Sequence, residues 1–149
     1  ETIQRITTAH RQSGSVLTMA TVIVDDFEDW RQSFSSFGRV VRSSRGDVEA
    51  IVEVKDATPE QIHIAECNPS FFCFNVAWLR KNLRALKDTN TQGEYYLTDL
   101  EAVAKTQGHA ITIIKIDPRD ALGINTPAEL DIAGRLKQER DNFRTDSGI

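Results

Sequence analysis

The sequence predicts an α/β layered domain built on a mixed sheet, and three observations predict it. Two β-branched runs, Val16–Val24 and Ala110–Ile116, lie near the two ends of the chain. Helical spacings with capping signatures alternate with these runs, the pattern of helices layered on a sheet. Between them, Gly38–Arg42 and Asp47–Val54 flank Ser43-Ser44-Arg45-Gly46 and read as a hairpin, which argues against an all-parallel sheet.

The elements follow in order. Ile3, Ile6 and Ala9 carry a short helical spacing that stops before Gly14. Val16–Val24 is rich in β-branched residues and reads as a buried strand. Asp25–Phe37 is polar but holds Phe27, Trp30, Phe34 and Phe37, which predicts a long loop packed down by its aromatics. After the hairpin, Thr58-Pro59-Glu60-Gln61 is a capping box with proline at the first helical position. Glu66–Phe74 resumes extended structure, and Asn75 caps a predicted helix over Val76–Lys87 with Ala77, Leu79, Leu83 and Leu86 as its apolar side. A second helix is predicted over Glu94–Thr106, stopping at Gly108. Ala110–Ile116 is a strand, and Thr126-Pro127-Ala128-Glu129 opens a last helix to about Phe143. Residues 1–143 thus read as one folded unit and 144–149 as a polar tail or linker.

Composition narrows the function classes. At 149 residues the chain fits one domain that buries roughly two-thirds of its unfolded surface. A net charge of −4 argues against nucleic acid as a partner, which would select a basic stripe. No apolar run reaches the ~20 residues of a membrane span, so no membrane role is expected. Two cysteines, Cys67 and Cys73, are too few for a disulfide scaffold and predict a reduced, cytoplasmic setting. The chain starts at Glu1 inside a predicted helix and its one methionine is Met19, so a piece of a longer protein is expected. His63, Cys67 and Cys73 lack a zinc-site spacing and a fourth ligand. The mixed-charge run Arg135–Arg144 reads as the exposed face of the last helix, and a homo-oligomer is compatible with it.

Five sets of residues point further. They are Phe37-Gly38-Arg39-Val40; Ile51–Thr58 (IVEVKDAT) followed by Glu60-Gln61; Glu66-Cys67-Asn68; and Asn90 with Gln92–Asp99 (QGEYYLTD), with Gly123-Ile124-Asn125 closing the series. In this order and spacing the chain resembles the second half of the nucleotidyltransferase domain of bacterial N-acetylglucosamine-1-phosphate uridyltransferases, also called UDP-N-acetylglucosamine pyrophosphorylases. The resemblance implies the C-terminal, sugar-binding half of a mixed-sheet, Rossmann-like nucleotidyltransferase fold. It implies a reaction in which a sugar 1-phosphate attacks the α-phosphorus of UTP, giving a nucleotide sugar, a peptidoglycan precursor, and pyrophosphate. Chemistry of this kind rests on positioning and on cations that absorb phosphate charge, and Mg²⁺ is the implied cofactor.

Residue by residue, the resemblance makes Glu53 and Asn68 ligands of the amino sugar, and Gly38 a pocket glycine that lets the backbone approach. Tyr96 and Thr98 become contacts near the sugar phosphate, and Asn125 a metal ligand. Alternative readings of the same residues stay open. Asn125 also suits a turn before the Thr126 cap. Thr98-x-x-Glu101 is itself a capping box, Tyr95 and Tyr96 suit a core, and Lys55 suits either a phosphate or solvent.

Two departures bear on function. The family continues Asn-Thr-Gly where this chain has Asn68-Pro69-Ser70, which predicts an altered sugar pocket. The eight glycines are isolated, without a G-x-G, so the family's glycine-rich nucleotide loop has no counterpart in these residues. The 149 residues are therefore expected to need an N-terminal half for catalysis. A non-catalytic sugar-binding or regulatory module is the competing expectation.

Overall fold

The strand Leu17–Ile23 (β1) organises the molecule, whose computed structural model describes residues 1–146. Its first six residues are buried, as the continuous apolar run requires of a strand covered on both faces. The strand Ile111–Lys115 (β6) lies parallel along one edge of β1, from Leu17 opposite Ile111 to Thr21 opposite Lys115. The other edge takes Glu66–Asn68 (β4) and Phe72–Phe74 (β5), both antiparallel. These two are one run interrupted at Pro69-Ser70, where proline offers no N–H and Ser70 turns to a φ of 62°.

Gly38–Arg42 (β2) pairs with β4 and with Val48–Val52 (β3), so the order across the sheet is β3-β2-β4-β1-β5, with β6 on β1. The β2–β3 hairpin turns at Gly46, whose φ of 89° is open to glycine. The sheet is mixed, as expected, with β1–β6 its parallel pair among the described residues.

Helix Thr2–Ser13 (α1) buries Ile6 and ends at Gly14 in the left-handed conformation. Thr58 caps Pro59–Ile62 (α2) with a complete capping box, and the Asn75 side chain accepts from the Trp78 N–H at the start of Val76–Asn82 (α3). Leu100–Thr106 (α4) follows, and Pro127–Asp146 (α5) opens with Thr126 and Glu129 bonding reciprocally. Ile6, Val22, Val24, Phe34 and Cys67 share one core; Trp78, Leu100 and Ala104 form a second beneath α3 and α4. Burying such side chains is worth about 1.5–3 kcal/mol each for the large ones. Among the described residues no helix is long and apolar enough to cross a membrane. The predicted tail 144–149 extends beyond the described residues at 147–149.

Four local expectations are corrected. Asp29–Ser36 forms a 3-10 helix rather than a loop, although its aromatics do pack, Phe34 against Phe37 at 5.0 Å between rings. The α3 helix ends at Asn82, before a 3-10 turn at Leu83–Ala85. Its buried side is Trp78 and Asn82, not Ala77 and Leu83, because Asn82 is tied to the Trp78 carbonyl and to Gln107, just past the end of α4. The second helix starts at Leu100 rather than Glu94, since a 3-10 turn occupies Leu97–Asp99.

Candidate functional site

Gly38 opens β2, and the sheet register places a candidate residue on each side of it. Asn68, the last residue of β4, pairs directly with Gly38. On the other side the hairpin pairs Arg39 with Val52, so Glu53, one residue past β3, comes opposite Gly38. The side chain of Glu53 then lies over the glycine. A Cβ built on Gly38 would sit 3.2 Å from Glu53 Oε1, tighter than most side-chain contacts, so a larger residue here would push the carboxylate aside by a few tenths of an ångström.

Thr98 completes the group. It is buried in the 3-10 turn that leads into α4, and its hydroxyl donates to Glu53 Oε1 at 3.2 Å. The capping reading of Thr98 is thereby overturned, because its oxygen bonds Glu53 and α4 has no side-chain cap. Glu101, the other half of that box, is buried and pairs with Lys105 instead.

Asn68 is 2% exposed, and its side chain is half satisfied. The Ser70 N–H donates to its Oδ1 at 3.1 Å, while Nδ2 is buried with no partner. An orphan amide donor of this kind costs about 1–3 kcal/mol unless something accepts from it. The same Asx turn bears on the Pro69-Ser70 departure. Ser70 takes the left-handed conformation that glycine would adopt, locked by its bond to Asn68, so the loop turns without glycine.

The segments 53–56 and 90–98, joined by bonds that span 35 to 45 residues of sequence, clasp one another. The Thr91 N–H donates to Asp56 Oδ1 at 2.9 Å, and Lys55 Nζ donates to Gln92 Oε1. Lys55 is exposed, as a surface lysine would be, with one of its donors given to Gln92. Tyr95 is exposed and Tyr96 half-buried, so neither is a core aromatic. Tyr96 borders an open cleft of about 310 Å³ with Glu53, Asp56, Lys87, Asn90 and Asp99. Asp56 and Asp99 belong to the quoted segments, but nothing in their sequence spacing marks them as cleft residues.

The acidic groups respond to these surroundings differently. Burial raises the Glu53 carboxyl above its ordinary range, and the nearby Asp99 and Asp56 charges raise it further against the Thr98 bond. Asp99 is raised by burial and by Asp56. Asp56 itself is held low by hydrogen bonds from the Thr91 hydroxyl and main chain.

Asn125 stands apart. It is exposed, and its N–H donates to Glu129 Oε2 at 2.7 Å, which suits the turn-and-cap reading. Among the described residues no hydrogen bond links it to Gly38, Glu53, Asn68 or Thr98. Its loop does approach them, since a Cβ on Gly123 would lie 3.9 Å from the ring of Phe37, next to Gly38. The described residues do not make a Mg²⁺ site by themselves. Asn125 offers one amide oxygen, and among the described residues no cluster of three His, Cys, Asp or Glu could hold a metal. The His63, Cys67, Cys73 set likewise forms no centre; Cys67 is buried and accepts from Arg39.

Over 142 residues, 95% of this chain, the sequence is 32% identical to the bifunctional protein GlmU of Clostridium acetobutylicum. The chain is homologous to a segment of the GlmU proteins. Identity to GlmU is 36% in Corynebacterium diphtheriae, over 94% of this chain, and 37% in Trichlorobacter lovleyi, over 96%. The chain spans 28–30% of the length of these GlmU relatives. No family model matches the chain.

Proposed function

We propose that this chain is the sugar side of a GlmU-type nucleotidyltransferase site, the C-terminal half of a layered, Rossmann-like domain over residues 1–143. The parent protein would transfer a uridylyl group from UTP to N-acetylglucosamine 1-phosphate or a close relative, releasing pyrophosphate. One observation carries the reading: Gly38 is flanked by the Glu53 carboxylate and by a buried Asn68 amide whose N–H group lacks an acceptor. A sugar bearing adjacent hydroxyl and acetamido groups supplies both an acceptor for Asn68 and a donor for Glu53.

In this reading the chain's residues bind and orient. Gly38 leaves room for the Glu53 carboxylate against the main chain. Glu53 accepts from a sugar hydroxyl or amide, held by the Thr98 hydroxyl. Tyr96 and Thr98 border the sugar phosphate. Mg²⁺, when bound, neutralises phosphate charge; Asn125 would give it one oxygen, with the remaining ligands, the uridine contacts and the glycine-rich loop coming from an N-terminal half.

The test is turnover by the full-length protein with UTP, Mg²⁺ and a panel of sugar 1-phosphates, followed by pyrophosphate release. Release with N-acetylglucosamine 1-phosphate is expected. Absence of release across the panel, with retained binding of a sugar or nucleotide sugar, would establish the non-catalytic module instead.

A further inference from the structure

A chain of hydrogen bonds behind Tyr96 has a direction set by chemistry. It begins at Lys55, whose ammonium carries donors and no acceptor. Lys55 Nζ donates to Gln92, so the oxygen end of that amide faces the lysine. The NH₂ end must then face the other way, and Gln92 Nε2 donates to the Tyr96 hydroxyl oxygen at 2.6 Å. An amide can ordinarily be placed either way round; here an obligate donor at one end leaves one orientation. Tyr96 is in turn left with its O–H proton to donate, and the residue lines the cleft shared with Glu53, Asp56 and Asp99.

We infer that Lys55 and Gln92 are positioning residues that set the Tyr96 hydroxyl as a hydrogen-bond donor into the cleft, for an oxygen acceptor on the sugar 1-phosphate. The inference rests on the proposed sugar site. In the free protein the acidic neighbour in that cleft is Asp56, whose carboxyl is drawn down first by Thr91 and last by Tyr96. A bound ligand offering a phosphate or hydroxyl oxygen competes for the same proton. Lys55 keeps its distance from the ligand and acts through Gln92. Asn90 holds the loop in place, its Oδ1 accepting from the N–H groups of Gln92 and Glu94 at 3.1 and 3.2 Å.

The decisive variant is Q92E. A carboxylate still accepts from Lys55 and has nearly the same shape, but it cannot donate to Tyr96. The Tyr96 proton then turns toward residue 92 and away from the cleft. Two tyrosines in the chain make this directly visible. Full-length protein labelled with 3-fluorotyrosine, with other tyrosines assigned by single Tyr→Phe variants, is compared with and without Q92E by ¹⁹F NMR. The Tyr96 line is expected to move while the exposed Tyr95 line stays. With N-acetylglucosamine 1-phosphate as the probe, Q92E and Y96F should each raise KM about five- to tenfold, the scale of one lost hydrogen bond. KM for UTP should not change, and Q92E should add nothing on a Y96F background.

A wild-type KM in Q92E, or a further KM rise when Q92E is added to Y96F, overturns the inference. The second result would make the added charge the cause. If the full-length protein turns over no sugar 1-phosphate, the proposed function falls separately. An unmoved Tyr96 line in the free Q92E protein then removes the relay itself, and a moved line supports it.

Discussion

Gly38 and Glu53 occupy space that a single methyl group would contest. A Cβ on residue 38 would meet Glu53 Oε1 at 3.2 Å and both other carboxyl atoms at 3.3 Å. The carboxylate cannot drift away freely, because Thr98 holds Oε1 from the other side. Gly38→Ala should therefore leave the fold intact and displace Glu53 from Thr98. The expected result in the full-length protein is a KM for the sugar 1-phosphate raised about tenfold or more, with KM for UTP unchanged. A G38A protein with unaltered sugar-phosphate kinetics would separate this glycine from the ligand.

Glu53 itself sets stability against binding. Burial raises its carboxyl, with Asp99 and Asp56 adding to the shift, so the folded protein holds this proton more tightly than the unfolded chain. A raised carboxylate favours the fold below the unfolded value, and that advantage is lost as pH rises through the folded value. Glu53→Gln removes the charge, so at pH 7 the variant should unfold at higher urea than wild type. The gap should shrink as the pH falls toward 4 and below, while sugar-phosphate binding weakens at neutral pH. Urea titrations across pH 3.5–8 measure both arms.

Ser70 carries a backbone conformation that costs an L-residue energy. Its φ is 62°, where a side chain crowds the following carbonyl. Ser70→Gly removes that strain but frees the unfolded chain, so a net gain of about 0.5–1 kcal/mol is expected. The Ser70 N–H bond to Asn68 survives the change, and KM should hold. Denaturant unfolding of the two proteins gives the difference directly.

The Glu66 carboxylate ties three strands together. It accepts from Arg42 at 2.6 and 2.7 Å and from the Thr21 hydroxyl at 2.7 Å. Burial would raise its carboxyl; the Arg42 and Thr21 bonds together outweigh that and hold it below the ordinary range. A lowered carboxylate adds stability above the unfolded value near 4.3, which is lost as pH falls through the lower folded value. Glu66→Gln should cost about 1–3 kcal/mol at pH 7, less than a sealed pair because Arg42 is 30% exposed. The two proteins should draw together as the pH falls below about 4 and on through that lower folded value.

Much of this molecule was legible in the order of its residues. Capping boxes at Thr58 and Thr126, the Asn75 cap and the Gly14 stop are local hydrogen-bond and φ requirements, and each holds. The strands were legible because β-branched runs have few other uses, and the hairpin because Gly46 permits its turn. The helix ends at Asn82 and Leu100 were not, since side chains distant in sequence decide them. Gln107 fixes Asn82, and Thr98 donates to Glu53 while α4 begins with no side-chain cap.

The segments around Gly38, Glu53, Asn68 and Gln92–Asp99 were singled out for the proposed sugar side by sequence alone, because residue types in a fixed order survive without any geometry. Only the tertiary structure decided what each of them can do there. The register of β2 between β3 and β4 puts Glu53 and Asn68 on opposite sides of Gly38. The clasp between 53–56 and 90–98 turns Lys55 from a surface cation into the start of a directed hydrogen-bond chain. Ser70, which as a letter only replaced a glycine, keeps the turn and leaves the Asn68 amide with an unmet donor. Hydrogen bonds have direction and distance, and those belong to the folded chain.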